Sequence, residues 1–544
     1  MSSRGFLRPL ASLHRIYALF KIRMTSFFNL FSRNAANAPQ DSLSEADYAR
    51  GQLWMVRFGI GNSAMEALIT GAMLTALALQ LGASNMMIGL LLAMPHMMSF
   101  MQIPGVWATE HFRERKKLTL RAAILSRPGI LLMVVAVLMP TPSASIALLM
   151  LGLALRYGGG WMMNCAWASW IRDLVPEEIQ GQYFGRRMAL MTAATGAVTL
   201  AGGLFVDAWT AIHADSVKYA YGLLLIVAFG FGVYGNFALA KIPEPKMPPN
   251  DAPLHLPKLL SEPFRHENFR RVMLFLFSWN FAINLAVPFF TVHLLQSLQL
   301  SVTYVMFLAM LWQGASIASM RVWGSFIDRY SNKAVFRLSG PIYALGLLLW
   351  TLTDEWHQAG YAIYMLPLLY VMIGLATGGT ALASNNIIFK LAPRGKATSY
   401  MAAANLLIAL ATALAPIMGG LMADWFANRA LTLTLHWKDP NIETDLANFV
   451  INHWDFFFLT AGILGGIALQ FVNTISEPTK NSREPAYREV VNHLAGSVYG
   501  IGFWRHFSNW PYLLRRRRKH EGHEDKTPPK PEAENNNHHV MRSF

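Results

Sequence analysis

The chain has 544 residues, of which 53% are hydrophobic and only 14% charged, against roughly 25% charged in soluble domains. Its apolar residues arrive in long blocks, which excludes a soluble globular protein and reads as a polytopic membrane protein. A net charge of +15 would suggest nucleic acid in a soluble chain, but here Lys and Arg sit in loops and tails beside apolar spans, so nucleic acid is not an expected partner.

Residues 1–40 contain no acid and six basic side chains, Arg4, Arg8, Arg15, Lys21, Arg23 and Arg33, interleaved with Phe, Leu and Tyr. Residues 1–51 therefore read as a basic cytoplasmic segment lying on an anionic leaflet; an organelle transit peptide has a similar composition. Hydropathy then gives six spans, at 52–81, 85–108, 119–139, 144–171, 184–206 and 217–240. A proline-rich polar stretch from 242 to 268 cannot span and serves as a linker. Six more spans follow, at 270–296, 302–327, 335–353, 359–390, 397–425 and 452–475. The domain reading is a bundle at 52–241, a linker at 242–268, a second bundle at 269–476 and a cytoplasmic tail at 477–544. In that tail, residues 486–519 combine aromatics with the run RRRRK (515–519), which suits an anionic membrane surface; a docking site for a partner protein is the rival. The lone Cys165 falls inside a span, so no disulfide framework is implied.

Orientation follows from the loops. HFRERKK (111–117), IRDLVPEEIQGQYFGRR (171–187), DRYSNK (328–333) and KLAPRGK (390–396) lie on one side, whereas only Lys218, Arg429 and Lys438 lie on the other. The positive-inside rule places both termini in the cytoplasm. A bacterial cytoplasmic (inner) membrane is the expected location.

The two halves repeat. Asn62 and Asn280, Glu66 and Asn284, and Glu110 and Asp328 are each 218 residues apart. Pro176 and Pro393, Tyr183 and Tyr400, and Asp207 and Asp424 are each 217 apart. Parallel six-span repeats imply an axis along the membrane normal. The loop GSFIDRYSNK (324–333) resembles the major-facilitator signature G-x-x-x-D-[RK]-x-G-[RK]-[RK], with Gly324, Asp328, Arg329 and Lys333 matching and Ser331 in place of a glycine. VWATEHFRERKK (106–117) is a worn copy in which Glu110 replaces the aspartate. Arg156 and Gly160 in LALRYGGGW (153–161) are similar to the R-x-x-x-G element of the fourth span, and APIMGG (415–420) resembles an element of many exporters. The resemblance to major-facilitator transporters covers residues 52–475. It implies an all-α membrane protein with twelve transmembrane helices in two pseudo-symmetric six-helix bundles, working by alternating access.

Chemistry is expected where charge lies deep in the bilayer. Glu66 sits mid-span, where a carboxylate costs roughly 2.5 kcal/mol or more on insertion scales. Arg156, central in the fourth span, is its economical partner, and the resemblance implies the same pairing. The pair reads as a proton-coupling device, against the alternative of a static pair that fixes packing. Asn62 and Thr70 lie one turn to either side of Glu66. With Asn280, Asn284 and His96 they form the expected substrate-binding set, the alternative for the amides being interhelical packing. Glu110, Gly324, Asp328, Arg329 and Lys333 are expected gate parts. Asp207 and Asp424, at the outer ends of the fifth and eleventh spans, are expected to be solvated, the alternative being that they cap or latch the outer side. Met94, Met97, Met98 and Met101 around His96, with MMNC (162–165), allow a copper carrier to be imagined, but methionine is mostly core filler in such chains, so no metal site is assigned. His293 reads as a cavity or interface group.

No P-loop, nucleophile elbow or HExxH pair is present, and no cofactor is expected. The sequence thus points to a non-enzymatic secondary transporter whose partners are a small organic solute, protons and membrane lipids. A scaffold or assembly factor without transport activity is the rival from another class.

Overall fold

The computed structural model describes residues 43–176, 179–247, 262–393, 397–439, 442–451 and 453–477. Residues 1–42 of the expected N-terminal segment (1–51), the expected tail segment at 486–519 and the middle of the linker lie outside the described residues. Among the described residues, twelve helices are long and apolar enough to cross a membrane. The first half holds α1 (Glu45–Gln80), α2 (Asn85–Phe112), α3 (Arg115–Leu138), α4 (Pro142–Asp173), α5 (Gln182–Ile212) and α6 (Ala214–Ala240). The second holds α7 (Glu267–Gln296), α8 (Val302–Arg329), α9 (Asn332–Gln358), α10 (Ala362–Leu391), α11 (Tyr400–Phe426) and α12 (His453–Thr474).

Each expected span finds its helix, and polar caps account for several displaced ends. α1 begins before its apolar stretch because Ser44 and Asp47 form a capping box: the Asp47 amide donates to Ser44 Oγ at 3.2 Å and the Ser44 amide to Asp47 Oδ2 at 3.3 Å. Ser84 and Ser301, 217 residues apart, cap α2 and α8 through the side-chain hydroxyl, accepting from the amides of Met87 and Tyr304 at 3.3 and 3.2 Å.

The connection between α11 and α12 departs from the all-helical expectation. Strands β1 (Leu431–Asp439) and β2 (Ile442–Ile451) pair as an antiparallel hairpin, with a register irregularity between Leu435 and His436. The alternation Leu-Thr-Leu-Thr-Leu at 431–435 is the period-two signal for it.

The halves meet at the end that carries the α1–α2, α5–α6, α7–α8 and α11–α12 connections. There α2 packs on α11 and α5 on α8. Asp424 Oδ1 and Oδ2 accept the backbone amides of Asn85 and Met86 at 3.2 and 3.0 Å. Asp207 Oδ1 and Oδ2 accept those of Val302 and Thr303 at 3.0 and 2.8 Å. These aspartates are therefore not merely solvated. Each carboxylate caps a helix of the opposite half, where the unpaired first amides and the helix dipole favour an anion. Between the caps the backbones nearly touch: a Cβ on Gly89 would stand 2.1 Å from the Pro416 carbonyl oxygen.

Candidate functional site

Glu66 stands one turn before a break in α1. The first segment ends at Ile69, Thr70 is extended (φ −136°, ψ 174°), and Gly71 takes φ +58° before the helix resumes to Gln80. Hydropathy alone predicts an uninterrupted span here. The β-branched pair Ile69–Thr70 followed by glycine, the residue that tolerates positive φ, is the local cause of the break.

Arg156 reaches Glu66 because α3 and α4 approach closely. A Cβ on Gly129 would lie 2.4 Å from the Gly152 carbonyl oxygen, and one on Gly152 would lie 2.5 Å from that of Gly129. With both positions glycine, the α4 backbone sits against α3 and Arg156, one turn on, extends toward α1. Its Nη2 donates to Glu66 Oε1, and the Tyr157 hydroxyl donates to Oε2 at 3.2 Å. Arg156 is 3% exposed and Glu66 27%. The guanidinium lies behind the carboxylate, and the carboxylate faces open space.

That space is a cavity of about 630 Å³ between the halves. On one side it is walled by Glu66, Thr70, His96 and Tyr157, and on the other by Asn284, Gln313 and a group of aromatic rings. Of the expected substrate-binding set, Thr70, His96 and Asn284 line it, whereas Asn62 and Asn280 do not. The helix period explains the separation of Asn62 from Thr70. At about 100° per residue, Asn62 lies about 80° round α1 from Thr70. Its backbone is beside Gly235 of α6. The Asn280 side chain donates to the Leu276 carbonyl in its own helix at 2.8 Å, and Asn284 donates to the Asn280 carbonyl at 2.8 Å. Both bonds stay within α7.

The aromatic wall is built from α7, α8 and α10. Phe290 stacks on buried Trp350 with ring centroids 3.9 Å apart. Trp312 lies edge-on to Tyr370 at 6.2 Å, and its indole Nε1 donates to Thr377 Oγ1 at 2.9 Å. These rings carry no distinguishing signal in the sequence, because aromatics inside apolar spans are mostly core. Sequence reasoning also missed Tyr157, whose adjacency to Arg156 was the available signal, and Arg127 in α3. The buried Arg127 donates from Nη2 to Asn236 Oδ1 at 3.1 Å and places Nη1 2.9 Å from Met65 Sδ. Its signal was a basic residue in mid-span, immediately before Pro128.

His293 is an interface group of the second half. It is buried, with Nε2 2.9 Å from Thr353 Oγ1 and the rings of Trp350, Trp454 and Phe458 around it. Among the described residues, no group of three or more His, Cys, Asp or Glu comes together to hold a metal.

The expected gate residues lie at the end opposite the closed one. Glu110 is half-buried near the end of α2, Gly324 faces Leu382 of α10, and Asp328 and Arg329 stand at the end of α8. Lys333 Nζ donates to the carbonyls of Asn473 and Ile475 at 3.0 and 2.9 Å, tying α9 to the end of α12 in its own half. Two carboxylates unnoticed in the sequence organise this end. Glu244, just past α6, accepts the Arg115 amide at 2.6 Å, while the Arg115 guanidinium bonds Asp173 at 2.5 Å. Glu477, just past α12, accepts the amides of Asn332 and Lys333 at 3.1 and 2.8 Å and Lys390 Nζ at 2.8 Å. The stretches Ile242–Pro245 and Ile475–Pro478 share Ile-x-Glu-Pro at a spacing of 233 residues, so they were invisible at offset 217. Asp173 and Lys390 are themselves 217 apart: the repeat keeps the junction and reverses the sign of its partner. Burial raises the Glu244 carboxyl to about 6, against the amides of Lys116 and Arg115. At Glu477 burial also pushes upward, but Lys390, Lys333 and Asn332 outweigh it and hold the carboxyl below its usual range.

A family model described as Major Facilitator Superfamily matches residues 58–416 and, in a second alignment, 272–518. The nucleoside transporter NupG, in the structure of a mutant form, is similar at 13% identity and TM-score 0.60, over 78% of this chain and 100% of that one. The D-xylose–proton symporter is similar at 12% identity and TM-score 0.58, over 79% and 98%. The xylose transporter XylE from E. coli, inward open, is similar at 16% identity and TM-score 0.53, over 81% and 98%. At such identities the likeness is one of fold. No curated protein matches the chain in sequence.

Proposed function

The chain belongs to the major facilitator superfamily, and from that premise we propose that it moves a small organic solute across the membrane by alternating access, coupled to protons through Glu66 and Arg156. The observation that carries this reading is the Glu66–Arg156 pair beside the cavity. A pair serving only to hold helices together has no reason to border open space. At that border, solvent and solute can reach one partner while the other stays buried. Protonation of Glu66 would release Arg156, and deprotonation would re-form the pair, so the two protonation states favour different arrangements of α1 and α4. The two ends of the molecule complete the cycle. The aspartate caps of α2 and α8 hold the end assigned to the outside closed, and the gate residues occupy the cytoplasmic end, with both termini on that side. Thr70, His96 and Asn284 would then contact the solute.

Purified protein in liposomes loaded with a pH-sensitive dye tests this. Under an imposed solute gradient, the wild type should move protons and Glu66→Gln should lose that movement while eluting as a folded monodisperse species. Proton movement of wild-type size in Glu66→Gln would end the proposal.

A further inference from the structure

The cavity wall carries one formally charged side chain, Glu66; among the described residues that line it there is no lysine or arginine. Arg156, which neutralises that carboxylate, is 3% exposed and absent from the wall. The ion pair is therefore oriented, with its negative end toward the cavity and its positive end buried in α4. A solute entering meets the carboxylate first. Across the cavity it meets Phe290, Trp312 and Tyr370, whose ring faces attract cations through their quadrupole as well as burying apolar surface. The ring group is held in place: Phe290 by its stack on Trp350, and Trp312 by its indole hydrogen bond to Thr377. An anion would face the carboxylate with no cation on the wall to receive it. A sugar would find Asn284, Gln313, Thr70 and Thr291, but it brings no positive charge to answer the carboxylate.

We propose that the solute is an organic cation with an aromatic body, its charge on Glu66 and its body against Phe290, Trp312 and Tyr370. This deepens the transporter reading and rests on it. The Glu66 carboxylate then takes either a proton or the cation, each displacing the other and each competing with Arg156. Exchange of one for the other across the membrane is antiport. The remaining titratable groups facing the cavity are His96 from α2, Tyr157 from α4 and Tyr370 from α10. Protonated His96 would add repulsion to any cation, in the same direction as protonated Glu66.

Two probes with one biphenyl-like body and opposite charge separate the alternatives: 1-methyl-4-phenylpyridinium and 4-phenylbenzoate, titrated into the purified full chain by calorimetry. The pyridinium should bind at least tenfold tighter than the benzoate. Glu66→Gln should lose at least tenfold for the pyridinium, with elution and thermal unfolding near wild type. Trp312→Ala should weaken the pyridinium several-fold, which guards against a misfolded acid variant. Equal binding of the two probes, tighter binding of the benzoate, or pyridinium binding unchanged in Glu66→Gln would overturn the proposal. Failure here is distinct from failure of the transport reading. Proton movement driven through Glu66 by neutral or anionic solutes would leave transport standing and remove the cation. Pyridinium binding at Glu66 with no proton movement in liposomes would do the reverse.

Discussion

Asp424 near the end of α11 holds the first two amides of α2, Asn85 and Met86, and its repeat mate Asp207 on α5 holds Val302 and Thr303 at the start of α8. Each carboxylate belongs to one half and each capped helix to the other. The two contacts are related by the internal symmetry and both are broken by any motion that separates the halves at that end. Asp424→Asn keeps the shape of the side chain and one acceptor but loses the charge. A charge-assisted contact of this kind contributes about 1.5 kcal/mol or more, so the open-to-closed ratio should rise roughly tenfold. The measurement is labelling of a cysteine at Gln313 on the cavity wall, in a Cys165→Ser background, by an impermeant reagent added on the hairpin side. Labelling should accelerate in Asp424→Asn and again in the Asp207→Asn double variant. Unchanged rates would show that the caps do not hold this end shut.

Glu244 and Glu477 occupy matching junctions but titrate in opposite directions, and the difference predicts a pH signature. The Glu244 carboxyl is raised from 4.5 to about 6 by burial. A folded state that holds its proton more tightly than the unfolded chain gains stability as pH falls through that window. Its carboxylate contribution is thus least favourable above pH 6. At about 1.4 kcal/mol per pH unit, the gain between pH 6 and 4.5 is about 2 kcal/mol. Thermal unfolding in detergent should show Glu244→Gln losing that part of the pH dependence, with its difference from wild type changing across pH 4.5–6 and flat above. Glu477, held low by Lys390, Lys333 and Asn332, has the opposite sign: its stabilisation is present above the usual carboxylate range and is lost below it. Glu477→Gln should therefore destabilise the protein most at neutral pH.

Hydropathy and charged loops were enough to read twelve spans and their repeat, because a bilayer demands long apolar runs and penalises every departure. The Glu66–Arg156 pair was legible for the same reason, since two opposite charges at depth have few ways to be satisfied. What failed to show were features set by backbone geometry. The break at Thr70–Gly71 requires a positive φ at one glycine among the 40 in the chain. Counting turns puts Asn62 on the cavity, yet two steps of four residues carry it too far round the helix. Asp207 and Asp424 look like ordinary loop-end acids until the opposite half supplies helix starts for them. The Ile-x-Glu-Pro junctions were hidden because the β1–β2 hairpin lengthens the second repeat and shifts its register.

Arg127 shows how much a second buried cation depends on a neutral partner. Its contacts include one amide oxygen, from Asn236 on α6, and one thioether, Met65 on α1. Replacing Asn236 by Leu would strand the guanidinium in an apolar interior. Losing a hydrogen bond to a buried charged group costs about 1.5–3 kcal/mol. Asn236→Leu should therefore lower the unfolding temperature markedly, and Arg127→Met in the same background should restore most of it. Failure of that rescue would mean that Asn236 supports α6 by some route other than Arg127.

Gly129 and Gly152 set the distance between α3 and α4, and through it the reach of Arg156. An added methyl at either position would stand within 2.5 Å of the other's carbonyl oxygen, so the helices must part. Overpacking of a tight interface costs about 1–3 kcal/mol, which a membrane bundle can survive. The functional consequence should be larger than the structural one, because displacement of α4 carries Arg156 away from the Glu66 carboxylate to which it donates. Gly152→Ala should therefore lower unfolding temperature by a few degrees while reducing the proposed proton-coupled flux at least tenfold. Gly158→Ala is the control: it lies on the same helix, and an added methyl would have only Met98 and Met101 near it, both at 3.9 Å. It should leave both measurements near wild type. Equal losses of flux in the two variants would mean that any disturbance of α4 stops transport, and that the approach at Gly152 has no special claim on Arg156.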